Sequence, residues 1–214
     1  MKSKLLSAVL LMGLLQPVAR AEQDGLYDVH QHYVPECYRQ ALLSHADAKG
    51  TESDGLPTPD WDVEKHLKWM DAMNIKVAFL SLASPHPYWG DKRETVELVR
   101  KINDEGAKIA QNCPGRLKLL ATLPLPDVDR SIEEITHAYD DLKVVGIKLP
   151  TNVDGVYLGD EKFAPVFEEL NKRKAIVVLH PVQSPNLPDS SIKDLPPAIA
   201  MYLMETTYAV LNLI

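Results

Sequence analysis

Five short apolar runs recur along this chain, and what constrains the fold is that they do not alternate with polar residues. The runs are Leu26 to His32, Lys76 to Ala83, Leu117 to Leu125, Val144 to Leu149 and Ala175 to Leu179. A strand with one wet face alternates apolar and polar side chains. Runs nearly continuous in Val, Ile, Leu and Ala are buried on both faces, as in a parallel sheet wrapped by helices. Between the runs lie stretches with helical spacing. Val63, Leu67, Met70 and Met73 form one stripe, with Thr58-Pro59 as a cap and first turn and Asn74 as a left-handed stop. Val96, Val99, Ile102 and Ile109 line the inner face of a helix expected over Thr95 to Cys113. Ser131 and Glu134 have capping-box spacing ahead of Ile135, Ala138, Tyr139 and Leu142. Asp160 caps a helix carrying Phe163, Val166, Phe167 and Leu170, and a shorter helix is expected near Pro35 to His45.

Five such βα units fit either an open doubly wound sheet or a (β/α)8 barrel. No Gly-x-Gly-x-x-Gly or phosphate-loop pattern follows any run, which argues against a nucleotide-binding open sheet. In a barrel, catalytic groups stand at the C-terminal ends of the strands, and histidines stand there in this sequence. His30 and His32 close the first run. Side chains two apart on a strand share a face about 7 Å apart, close enough for both imidazoles to grip one ion. His180 ends the fifth run and is followed by Pro181. A bare His-x-His also occurs by chance and in jelly-roll metal proteins, and a strand-end histidine can be an ordinary loop residue. Taken together, three imidazoles at strand ends around one cavity suit zinc, manganese or iron.

The N-terminus reads as a separate element. Lys2 and Lys4 precede an apolar stretch of 11 residues, Leu5 to Leu15, and then Ala19-Arg20-Ala21. A positive region, a short apolar core and an A-x-A site make a secretory signal peptide over 1–21, cut after Ala21. A membrane-spanning helix needs roughly 20 apolar residues. The expectation is a secreted or periplasmic domain over 22–214. The formal charge of −7 comes without a basic cluster, so neither nucleic acid nor an anionic membrane is an expected partner. Cys37 and Cys113 lie far apart and read as two independent buried thiols rather than a zinc knuckle.

Four stretches carry a resemblance: YDVHQHYVPECY at 27–38, WMDAMNIKVAFLSLASP at 69–85, VVGIKLPTNVDGVYLGDEKFAPVFEELNKRKAIVVLHP at 144–181 and METTYAVLNLI at 204–214. The chain resembles the amidohydrolase-related metal-dependent decarboxylases. These include aminocarboxymuconate-semialdehyde decarboxylase and the 6-methylsalicylate and other hydroxybenzoate decarboxylases. The resemblance implies a (β/α)8 barrel of the metal-dependent hydrolase type. It also implies a divalent ion, zinc first and manganese second, held by His30, His32 and His180. Relatives use a further catalytic His after the sixth strand and an Asp after the eighth, which are expected to lie beyond Ile214. A full barrel takes about 250 residues, so the expectation is an incomplete, C-terminally truncated barrel of about five βα units. Exposed strand edges and an unfinished last helix would favour a homodimer.

The activity implied is non-oxidative decarboxylation of a small aromatic or unsaturated carboxylic acid of the 6-methylsalicylate type. Two alternatives stay open: a metal-dependent hydrolase of a lactone or amide, and an inactive fragment. Some hydrolases of the wider superfamily carry a carboxylated lysine where Lys148 ends the fourth run, although a lysine reaching the rim is the plainer expectation. His86 lies on the active-face side, where a loop role is the plainer reading. Asp28 either orients a ligand or makes a loop hydrogen bond. Trp61 and Trp69 are expected in the core, and His45, His66 and His137 at the surface. The stretch Val182 to Pro197 forms part of a cavity roof or only a loop.

Overall fold

The apolar runs become five parallel strands: β1 (Leu26–Tyr33), β2 (Ile75–Leu82), β3 (Leu117–Ala121), β4 (Gly146–Pro150) and β5 (Val177–His180). They form one five-stranded sheet in sequence order, each paired in parallel with the next. The computed structural model describes residues 25–45, 52–53, 56–57, 60–185 and 197–214. The expected signal peptide at 1–21, the expected Thr58-Pro59 cap and most of the stretch from Val182 to Pro197 lie outside those residues. The helices are α1 (Glu36–His45), α2 (Val63–Ala72), α3 (Lys92–Asn112), α4 (Val128–Thr136), α5 (Ala164–Lys172) and α6 (Pro197–Leu213). Among the described residues, no helix is long and apolar enough to cross a membrane.

The sheet is curled. Strands about 4.8 Å apart would put the first and fifth about 19 Å from each other in a flat sheet. Instead the rings of His30 on β1 and His180 on β5 stand 5.2 Å apart, centroid to centroid. The architecture is a parallel half-barrel backed by helices, which bears out the expected incomplete barrel. Every residue of β4, an inner strand of the arc, is buried. At the two edges the pattern breaks. Leu26, Tyr27 and Val29 on β1 are exposed at 58%, 66% and 59%, and Ile176 before β5 at 61%.

Helix boundaries differ from the sequence reading in instructive ways. The N-cap of α2 is Asp62, whose carboxylate accepts from Lys65 N, not Thr58. Asn74 is left-handed with φ 55°, as its place after the last turn requires. The N-cap of α3 is Asp91, which accepts from Arg93 N and Glu94 N, so the helix starts three residues before Thr95. The capping box assigned to Ser131 and Glu134 does not form, because the N-cap of α4 is Asp127. Ser131 and Glu134 sit inside that helix and are buried. Glu134 accepts from Asn103 Nδ2 at 2.7 Å and Arg100 Nε at 2.7 Å, tying α4 to α3. Asn103 in turn brackets Thr122, donating to its carbonyl and accepting from its amide. The third strand is shorter than its apolar run: the buried residues up to Leu125 continue as coil after Ala121.

Packing of helix on sheet is close where glycine permits it. A β-carbon at Gly106 on α3 would collide with the Tyr33 hydroxyl and with Leu119. The buried Tyr33 uses that space to donate to Ile102 O at 3.1 Å. Each fully buried Leu, Ile or Phe of such a core stabilises the fold by roughly 1.5–3 kcal/mol. Trp61 packs against the core cluster, but Trp69 is 43% exposed, correcting the expectation for it. Cys37 and Cys113 are free thiols, each half-buried rather than buried, and burial pushes the Cys37 thiol up to about 12.

Candidate metal centre

The two edge strands, β1 and β5, converge on a single point at their C-terminal ends. His30, His32 and His180 each offer a ring nitrogen, and these nitrogens all lie within 4.8 Å of one another. His30 Nε2 is 3.2 Å from His32 Nε2, and His32 Nε2 is 3.2 Å from His180 Nε2. His180 is buried, His32 half-buried and His30 exposed.

The outer nitrogens fix the tautomers. His180 Nδ1 is 3.0 Å from Pro181 O. A carbonyl oxygen only accepts, so Nδ1 carries the proton and Nε2 is a bare lone pair. Ser84 Oγ, 3.3 Å from the same Nδ1, supports that orientation. At His32, Ser81 Oγ donates its one proton to Gln31 O at 3.3 Å and so accepts from His32 Nδ1 at 3.2 Å. Two bare Nε2 atoms therefore face each other at 3.2 Å. Lone pairs at that distance repel, and a shared cation turns the repulsion into coordination. Zinc–imidazole bonds of about 2.0–2.1 Å place tetrahedral ligand nitrogens about 3.3–3.4 Å apart, so the donor set fits such an ion. Burial, then Lys148, then the neighbouring imidazoles hold His32 down to about 4 and His180 down to about 2. Both rings are neutral near pH 7, the form that ligates metals.

The other sequence candidates sort by contact. Asp28 Oδ1 accepts from His30 N at 3.0 Å, and its Oδ2 accepts from Gln31 Nε2. It fixes the backbone at His30 and orients no ligand ring. Lys148 does not reach the rim: it is buried and donates to Leu82 O. His86 donates from Nε2 to Leu125 O at 2.8 Å, and burial, joined by Lys148, lowers it to about 4. His45 pairs with Glu94 at 2.7 Å and stacks on Trp89, and His137 bridges Asp104 and Asp141 at 2.8 Å each. His66 is half-buried on α2 rather than at the surface.

Sequence reasoning missed Ser81, Ser84 and Glu205. The serines were readable as hydroxyls, Ser81 interrupting the second apolar run and Ser84 directly after it. Glu205, fully buried, is the lone acid in the last helical stretch. It accepts from Ser184 N at 2.8 Å, Tyr157 Oη at 3.1 Å and Asn152 Nδ2 at 3.2 Å. Asn152 also donates to Val182 O at 2.7 Å. This network fixes the chain leaving His180 against the chain leaving β4. A cleft of about 460 Å³ opens beside it, lined by Tyr88, Trp89, Asn152 and Val182 among others.

Comparison with known proteins matches this arrangement. The decarboxylase macB of Penicillium terrestre is 34% identical over 197 residues, spanning 87% of this chain and 57% of macB. The 6-methylsalicylic acid decarboxylase acuB of Aspergillus aculeatus is 34% identical over 158 residues, 72% of this chain and 47% of that protein. The crystal structure of an amidohydrolase II superposes with a TM-score of 0.82 at 38% identity, covering 87% of this chain and 60% of that one. The chain thus spans about half the length of the curated relatives it matches. The sequence family described as amidohydrolase matches residues 27–204. With that match across its strands, and with three strand-end histidines gathered inside a curled parallel sheet, the chain belongs to the amidohydrolase family.

Proposed function

We propose that this chain serves non-oxidative decarboxylation of a small aromatic carboxylic acid of the 6-methylsalicylate type, with a divalent metal, zinc or manganese, held by His30, His32 and His180. The observation that carries the reading is the pair of bare Nε2 atoms facing each other at 3.2 Å with His30 beside them. The relatives named as decarboxylases supply the reaction class.

When bound, the ion supplies Lewis acidity toward a carboxylate or hydroxyl oxygen of the substrate. Other residues of the chain hold the ligands and shape the cleft. Ser81 and Ser84 hold the rings of His32 and His180 with their lone pairs inward. The cleft volume suits a single-ring ligand, and Tyr88 and Trp89 offer it an aromatic wall. Asn152 and Glu205 keep the loop after His180 in place. The test is to incubate the metal-loaded chain with 6-methylsalicylate labelled with ¹³C at its carboxyl carbon. Labelled carbon dioxide together with 3-methylphenol is the expected product. Recovery of intact acid from chains carrying one metal each contradicts the reading.

A further inference from the structure

Lys148 lies at the centre of β4, with its ammonium donating to Leu82 O at the end of β2. β3 stands between those two strands, so the side chain crosses the concave face of the sheet. It reaches a small inner pocket whose other polar members are His86 and Thr122, among apolar walls from Leu82, Pro85 and Val182. His86 is held by its bond to Leu125 O, and the backbone of Thr122 by two bonds to Asn103.

Size decides what this pocket can take. Its free volume of about 10 Å³ admits one water-sized group and excludes a ring. Pro85, His86 and Val182 line both the inner pocket and the 460 Å³ outer cleft, so the two are adjacent and only these side chains lie between them. A ring in the outer cleft can therefore put a single substituent atom into the inner pocket. We propose that the inner pocket is an anion subsite, in which Lys148 receives one anionic oxygen of an aromatic acid whose ring occupies the outer cleft. Lys148 is then a specificity-determining residue. A charge-assisted hydrogen bond in a desolvated pocket is about twice as strong as a neutral one, and a neutral substituent cannot replace it. The ligand class rests on the function proposed above; the subsite itself does not require the metal.

The experiment titrates salicylate and its neutral analogue salicylamide into the purified chain, with and without one equivalent of zinc, for wild type, Lys148→Met and Lys148→Arg. Wild type should prefer salicylate by about tenfold or more. Lys148→Met should remove that preference while leaving salicylamide within about twofold, and Lys148→Arg should keep salicylate within about threefold. Preference that persists without zinc and depends on Lys148 supports the subsite even if the metal reading fails. Preference that appears only with zinc and survives Lys148→Met assigns selection to the ion and overturns the subsite. Should Lys148→Met melt early, wild type and Lys148→Arg decide. Equal affinity of wild type for the two probes, or no binding of salicylate at all, overturns the proposal.

Discussion

β1 and β4 both run toward the histidine cluster, yet they are built on opposite terms. β4 is buried along its whole length and carries Lys148 into the interior, whereas β1 exposes Leu26, Tyr27, Val29 and His30 and is buried only at its last residue, Tyr33. A second contrast lies within the cluster itself. His32 and His180 have outer nitrogens held by Ser81, Ser84 and Pro181 O; the tie recorded for His30 is to its backbone, through Asp28. The fold is therefore anchored on the inner strand β4, and His30 is the least preorganised of the three rings.

The largest expected effect tests the anchoring. Leu149→Ala, at a fully buried site of β4, should cost about 2–5 kcal/mol in chemical denaturation. Val29→Ala on β1 should fall within about 0.5 kcal/mol. Equal losses at the two sites would contradict the contrast. Next come the ligands. His180→Ala should weaken zinc binding by about a hundredfold or more and His30→Ala by less, because His180 is the buried, oriented ring. Competition with a chromogenic chelator gives both values, and a larger loss at His30 would reverse the ranking. A smaller effect is expected from Ser81→Ala, about tenfold in zinc affinity, with the melting temperature nearly unchanged.

The arc and the three histidines were legible in the sequence because both rest on local signals: unbroken apolar runs, and imidazoles placed at their ends. Helix starts were not. Ser131 and Glu134 satisfy the capping pattern, but burial drew Glu134 inward to Arg100 and Asn103 and left the cap to Asp127. The cap of α2 is likewise a carboxylate, Asp62 beside its first residue, which the hydroxyl-then-proline pattern at 58–59 does not pick out. Lys148 was readable as a strand-end cation but not as an interior one. Its direction depends on the curl of the sheet, which is set by contacts far apart in sequence. Glu205 reaches Asn152 and Ser184 across 53 and 21 residues, a separation that no local pattern reports.

The smallest effect lies outside the strands, on the helical layer. His137, between Asp104 and Asp141, is raised above the usual imidazole range: its burial opposes protonation, and the two carboxylates outweigh it. A raised folded-state value means stability fully present below about pH 6.5 and lost as pH rises through the folded value. With its partners half or more exposed, the contribution should stay under about 1 kcal/mol. His137→Gln should flatten that part of the stability–pH curve, and an unchanged curve would remove His137 from the account.

The central claim is that the three imidazoles share one cation. Elemental analysis of the purified chain after equilibration with excess zinc and gel filtration tests it most directly, beside a variant carrying both His30→Ala and His180→Ala. The account predicts one zinc per wild-type chain and none in the double variant, with both still showing helical and strand circular dichroism. Stoichiometric zinc retained by the folded double variant would contradict it.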